Sequence, residues 1–165
     1  MKNQYPMMAR FNQWANLLLY RCTEELHEHQ YNSDQGLFFG SVHNTLNHLL
    51  LVDELWMGRI KGKVPREISS LDRILFEDFQ SLKDARIDID AELIHLVDGF
   101  SEQELEQHAL FSYLDHTEES LSTELILSTL FNHQTHHRGQ INAVLTKNKI
   151  FPPDMDILDF VELKI

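Results

Sequence analysis

Apolar residues recur along most of the chain at steps of three and four, the repeat of one face of a helix. Met8, Phe11, Ala15, Leu18, Cys22 and Leu26 mark a first helix from about Met7 to His29. Gly40-Ser41 reads as a stop followed by a cap, with Ser41 offering an oxygen to the free backbone donors of the next turn. The second helix it opens runs from about Ser41 to Ile60. Val42, Leu46, Leu49, Leu50, Met57 and Ile60 form one stripe of it, and Leu51, Val52 and Leu55 another. So wide an apolar arc predicts deep burial. The linker IKGKVPREISS, with Gly62 and Pro65, breaks the pattern. A third helix begins at Leu71 or Leu75 and ends at Val97, with Gly99 just beyond. Its face carries Leu75, Phe79, Leu82, Arg86, Ile89, Leu93, Leu96 and Val97. Ser101-x-x-Glu104 is a capping box for one further short turn. HALFSYLDHTEES then loses the helical period and alternates weakly, as either a short hairpin or an irregular crossover. A fourth helix runs from about Ser122 to Lys147, and Pro152-Pro153 end any continuation. The tail DMDILDFVELKI is either a short helix or an extended strand.

Four helices of roughly 20–27 residues, about 30–40 Å each, predict an all-α four-helix bundle. With 165 residues the chain suits a single domain spanning 1–165. The long connection before the last helix crosses an end of the bundle, which leaves strict up-down-up-down order open.

Composition narrows the function. Asp and Glu number 26 against 14 Lys and Arg, a net charge of −12, and no window gathers more than a few basic residues. Such a chain repels nucleic acid and anionic membrane, so neither is an expected partner. A single cysteine, Cys22, allows no intrachain disulfide and fits a reducing compartment. MKNQYPMMARFNQWAN has no uninterrupted apolar run followed by small residues, so no signal peptide is expected. The longest apolar runs are far short of a membrane span. Together these predict a cytoplasmic protein.

The ten histidines are the unusual count, and three of them fall in FNHQTHHRGQ at 131–140. Stepping along the core face of the fourth helix from Leu130 gives His133, His137 and Ile141 in line, whereas His136 leads to Gln140 on the flank. Residues one turn apart on one face can converge on one ion. The alternative is that each inward imidazole merely hydrogen-bonds a neighbour, or that the face opens to solvent. No Glu follows His133, so this is not the protease pattern HExxH. A third ligand is needed, and His48 on the second helix offers it, since it shares a stripe with Leu51, Val52 and Leu55. His43, about 140° around that helix, does not share its face. Three imidazoles suit Zn²⁺, Ni²⁺ or Fe²⁺. Asn44, Asp53 and Gln140 are candidates to orient the ligands, or else ordinary capping and surface residues.

ARFNQWAN at 9–16, FFGSVHNTLNHLLLVDELWMGR at 38–59 and FNHQTHHRGQINAVL at 131–145 resemble the DinB/YfiT-like family of bacterial four-helix-bundle metalloproteins, in order and over nearly the whole chain. The resemblance implies an up-down-down-up bundle, a metal held by His48, His133 and His137, and a homodimer. It also implies a thiol-dependent enzyme acting on a small-molecule substrate, an S-transferase that uses a low-molecular-weight thiol. In such an enzyme the metal activates a thiol, or a water, as nucleophile. A non-catalytic metal-binding bundle or a protein-interaction module is the alternative.

Other residues carry packing expectations. Cys22, Trp14 and Trp56 belong to the core, and His27, His29, His95, His108 and His116 to the surface. Arg138 pairs with a carboxylate across helices or closes a dimer contact. Gly139 marks a close approach by a neighbouring helix. Arg59, Lys61 and Lys63 form a loop of solvated charges. His136 is the rival ligand.

Overall fold

The computed structural model describes residues 4–63, 70–113 and 115–162, so Pro65 of the linker lies outside the described residues. Helix α1 spans Tyr5–Thr23 and carries Pro6 in its first turn, where a missing N–H is harmless. It ends at Thr23 rather than His29. The chain turns, and His27 starts a separate helix, α2 (Glu28–Asn32), by donating its backbone N–H to Gln30 Oε1 at 2.9 Å. The apolar spacing runs through this break because Leu26 remains in the core. Helix α3 covers Val42–Ile60, with Ser41 Oγ accepting the Asn44 N–H at 3.1 Å.

Helix α4 (Phe79–Asp98) begins later than Leu71 or Leu75. The buried Asn47 explains the delay. Its Oδ1 accepts the N–H groups of Leu75 (2.8 Å) and Phe76 (2.9 Å), and its Nδ2 donates to the Phe76 carbonyl at 3.2 Å. With these backbone groups satisfied by a side chain, the segment packs apolar residues on the core without becoming helical. Asp78 then caps α4 through Ser81 N–H at 2.8 Å. The capping box at Ser101–Glu104 opens α5 (Glu102–Glu106). Strands β1 (His108–Ser112) and β2 (Glu118–Ser122) pair antiparallel with His108 opposite Ser122, so the ambiguous stretch is a hairpin. Helix α6 (Thr123–Lys147) follows, capped by Ser122, and the tail forms α7 (Ile157–Glu162).

The four long helices form an all-α bundle in which α1 and α3 sit diagonally, each flanked by α4 and α6. Ion pairs Arg10–Asp98 and Lys83–Glu24 join opposite ends of α1 and α4, which are therefore antiparallel. Tyr5 bonds Ser128, so α1 and α6 run together. Asp53 bonds both Arg86 and Gln134, while His48 lies against His133 and Met57 clusters with Leu127, so α3 runs parallel to α4 and antiparallel to α6. The order is up-down-down-up. Two consecutive parallel helices require the chain to return along the bundle, and the described part of that return passes over α3 near His48. The hairpin packs against α3 and α6. Arg59 fastens it there: its guanidinium carbon lies 4.3 Å from the Trp56 ring centre and 4.1 Å from that of Phe111. Arg59 is thus buried under aromatic rings rather than solvated, and Lys61 pairs with Glu92.

The core has two large apolar parts, besides a small cluster of Phe11, Ala15 and Phe160 between α1 and α7. One gathers Leu19, Leu46, Leu50, Leu82, Ile141 and Leu145, and the other Ala9, Met57, Leu93, Val97, Leu127 and Leu130. Between them lies a buried polar layer contributed by all four long helices. Arg86 donates to Asp53 (2.6 Å) and Asp90 (2.8 Å). Gln134 Nε2 donates to the same Asp53 oxygen, Oδ2, at 2.5 Å, and Asn16 Nδ2 to both Asp90 oxygens at 3.2 and 3.1 Å. Arg138 donates to the amide oxygens of Asn12 (2.5 Å) and Asn16 (3.2 Å). Arg138 therefore meets neither of its two expectations: it bonds amides inside the bundle. Burial pushes its pKa down to about 10, so it stays charged at neutral pH. Gly139 is exposed, and nothing lies within 4 Å of where a Cβ would stand, so no helix approaches it.

Removing one member of a buried ion pair strands its partner. Asp53→Ala is expected to cost about 3–5 kcal/mol in urea unfolding. A loss below about 1 kcal/mol, the range of a surface pair, would show that the layer does not hold the bundle together.

Candidate metal centre

Helix α6 points His133 and His137 inward because both share the face that buries Leu130 and Ile141. Helix α3 does the same with His48, which is 4% exposed. The antiparallel packing of these helices brings the three imidazoles together. Their ring centres lie 5.0 Å (His48–His133), 5.0 Å (His48–His137) and 4.5 Å (His133–His137) apart. One ligand atom from each falls within 4.8 Å of the others, and His48 Nε2 is 3.0 Å from His133 Nε2. A cation with bonds of about 2.0–2.1 Å holds tetrahedral nitrogen ligands about 3.3 Å apart, so the His48–His133 pair is near coordination spacing, and the His137 ligand atom lies within 4.8 Å of both.

Hydrogen bonds on the far side of two rings fix their tautomers. His48 Nδ1 lies 2.8 Å from the Leu71 carbonyl, and His137 Nδ1 lies 2.8 Å from Gln140 Oε1. Both partners are acceptors, so each Nδ1 carries the proton and each Nε2 turns a lone pair inward. His133 has no such partner: its Nδ1 is buried without a hydrogen bond. If its proton sits on Nδ1, two lone pairs face each other across 3.0 Å. A cation between them turns that repulsion into bonding, and on this ground the residues present fit a metal ion.

The electrostatics favour neutral rings. Burial, and then the neighbouring His137, His48 and His136, push His133 down to about 3. Burial also dominates at His137, lowered to about 4 despite the Gln140 bond, and at His48, lowered despite the Leu71 carbonyl and the charge of Asp53. The cluster that could hold an ion among the described residues contains no carboxylate.

A DinB family model matches residues 1–164. The chain belongs to the DinB family. We found no curated protein that matches it. No described helix of this DinB family chain is long and apolar enough to cross a membrane.

Of the residues expected to orient the ligands, Gln140 does so at His137. Asn44 instead holds a backbone carbonyl, that of Phe39, at 3.0 Å. Asp53 bonds Arg86 and Gln134 in the polar layer and reaches His48 only through its charge. His136, the rival ligand, is exposed and faces Gln140 at 3.2 Å, outside the cluster. His43 bonds Tyr31 at 3.0 Å. Cys22 is buried in the core, and Trp14 packs on Phe11 and Phe160. His27, His29, His95, His108 and His116 are exposed. Two contributors escaped the sequence pattern. One is the Leu71 carbonyl, a backbone group with no residue-type signal. The other is Phe39, whose ring lies on that of His48 at 3.9 Å and 25°. Its one visible sign is its place two residues before the Ser41 cap.

Because these histidines titrate lower when folded than the 6.5 of an ordinary imidazole, the unfolded chain binds more protons below pH 6.5. Their contribution to stability is therefore complete above that pH and is lost as pH falls through about 4 and about 3. Metal-free protein should lose about 1.4 kcal/mol per pH unit for each such histidine across this window. Denaturant unfolding of wild type beside His133→Gln/His137→Gln isolates the effect. Equal pH slopes for the two proteins would contradict it.

Proposed function

We propose that the chain binds a divalent cation through His48, His133 and His137. It would use the cation to activate the thiol of a low-molecular-weight cosubstrate, or a water, against an electrophilic small molecule. The observation that carries this reading is a set of three neutral imidazoles with no carboxylate among them. Such a set leaves a bound cation its full double charge, which favours an anionic further ligand. Zn²⁺, Ni²⁺ and Fe²⁺ all suit it. When bound, the cation lowers the pKa of a coordinated thiol or water, so that a nucleophile exists at neutral pH.

The chain's own groups do the rest. Leu71 and Gln140 hold two rings in the tautomer that offers Nε2. Phe39 covers His48 and stands 5.8 Å from His137, which shields that side from water. His133 is only half-buried, so the cluster is not sealed from solvent. A homodimer, as the family resemblance implies, is part of the proposal, and light scattering should return twice the chain mass of 19.4 kDa; a monomer at working concentration would remove that part.

One observation favours the second reading, a metal-binding bundle without catalysis. A cavity of about 50 Å³ lies between α1 and α4, beside Asn16, Tyr20, Arg86 and Asp90, and none of the three histidines lines it. That cavity therefore does not serve the three histidines.

Metal analysis tests the core of the proposal. Untagged protein should carry about one equivalent of divalent metal per chain, the complement of one three-ligand site. His48→Ala, His133→Ala and His137→Ala should each abolish it, and Gln140→Ala should weaken binding about 10- to 100-fold. Metal content unchanged in the three alanine variants would contradict the ligand set.

A further inference from the structure

Next to the three imidazoles the chain makes a turn that is closely held. Gly36 and Gly40 take φ of +77° and +79°, a region that other residues occupy under strain. The Gly40 N–H donates to the Leu37 carbonyl at 2.9 Å and the Gln35 N–H to the Gly40 carbonyl at 2.8 Å. Asn44 fixes the Phe39 carbonyl from the first turn of α3. The turn carries two consecutive phenylalanines with opposite fates. Phe39 lies flat on His48. Phe38 packs edge-on against Phe39, with ring centres 4.8 Å apart and planes at 76°, and is 85% exposed.

Isolated exposed apolar side chains are common and need no explanation. Phe38 differs in being placed one ring away from an imidazole of the cluster, on a turn held by backbone hydrogen bonds. The surroundings of the histidines are of two kinds. Gln140 and the exposed His136 put polar groups beside His137, whereas the Phe39 ring borders both His48 and His137 and carries Phe38 behind it. A molecule entering there meets both hydrogen-bonding groups and ring faces. Ring faces and edges take alkyl groups, or aromatic rings in offset and edge-on contact.

We infer that Phe38 and Phe39 form a specificity wall. The ligand taken at the three-histidine centre carries an aromatic or alkyl group next to its donor atom, and that group packs on the two rings. This inference rests on the reading of the histidines as a metal centre with an open position. It adds the chemical class of the thiol cosubstrate that enters there: one with an apolar substituent beside its sulfur.

The test uses full-length protein loaded with Co²⁺, whose thiolate absorption band reports coordination, titrated with benzyl mercaptan and with 2-mercaptoethanol. In wild type, benzyl mercaptan is expected to bind about tenfold tighter, the effect of burying a modest apolar area. Phe38→Ser should cut that preference to about threefold or less while Co²⁺ content stays unchanged, and Phe38→Leu should keep most of it. Equal binding of the two thiols by wild type, or a full preference surviving in Phe38→Ser, overturns the wall while leaving the open position intact. No band with either thiol, in protein that still holds Co²⁺, overturns the open position itself and the wall with it.

Discussion

The polar layer at mid-bundle is the constraint on which the rest depends. Four charged side chains and three amides, each no more than 5% exposed, sit where a helical bundle would ordinarily place leucines. Isolated buried charges are costly, and here Arg86 pairs directly with both carboxylates, while Arg138 is linked to Asp90 through the amides of Asn12 and Asn16. Apolar contacts tolerate a helix that slides or rotates by part of a turn. Paired charges do not, because any slip leaves one of them buried alone. Asp53 and Gln134 therefore lock α3 to α6 at one register. His133 neighbours Gln134 in the chain, and His137 neighbours Arg138. The bonds that set the rotation of α6 thus also aim the histidines.

Charge is balanced at mid-bundle, and no carboxylate joins the histidines as a ligand. The layer holds as many positive as negative groups, and the imidazole cluster has no carboxylate of its own. On the proposed reading this separation matters chemically, since a carboxylate ligand would spend part of a cation's charge before a substrate arrived. The ring tautomers depend on a backbone carbonyl and an amide, both neutral. The crossover that delivers the Leu71 carbonyl exists because α3 and α4 are parallel. Topology, tautomer and ligand direction thus form one chain of causes.

Much of this was legible in the sequence, and its gaps have physical reasons. Helical period alone aligned His133 and His137 with Leu130 and Ile141 and placed His48 on a buried stripe, because a face is a property of local spacing. The convergence of the helices was not a local property. It rests on Asn12, Asn16 and Gln134, polar residues to which the apolar spacing assigns no role. The start of α4 was misplaced because Leu75 fits the period, while the amide that holds its backbone belongs to Asn47, 28 residues earlier. The first helix was extended past Thr23 because Leu26 keeps its core position through a turn. Arg59 reads as solvated charge, and Arg138 as the partner of a carboxylate or of a dimer contact, because nothing nearby in sequence announces an aromatic clamp or an amide partner. Gly139 has no packing explanation in the structure.

The central claim is that three imidazoles, one from α3 and two from α6, share one divalent cation. X-ray absorption at the metal edge of the purified protein tests it most directly. The account predicts a first shell of nitrogen and oxygen at about 2.0–2.1 Å, with the multiple scattering of three imidazole rings. A shell with one ring or none, or one dominated by sulfur or carboxylate oxygen, would contradict it.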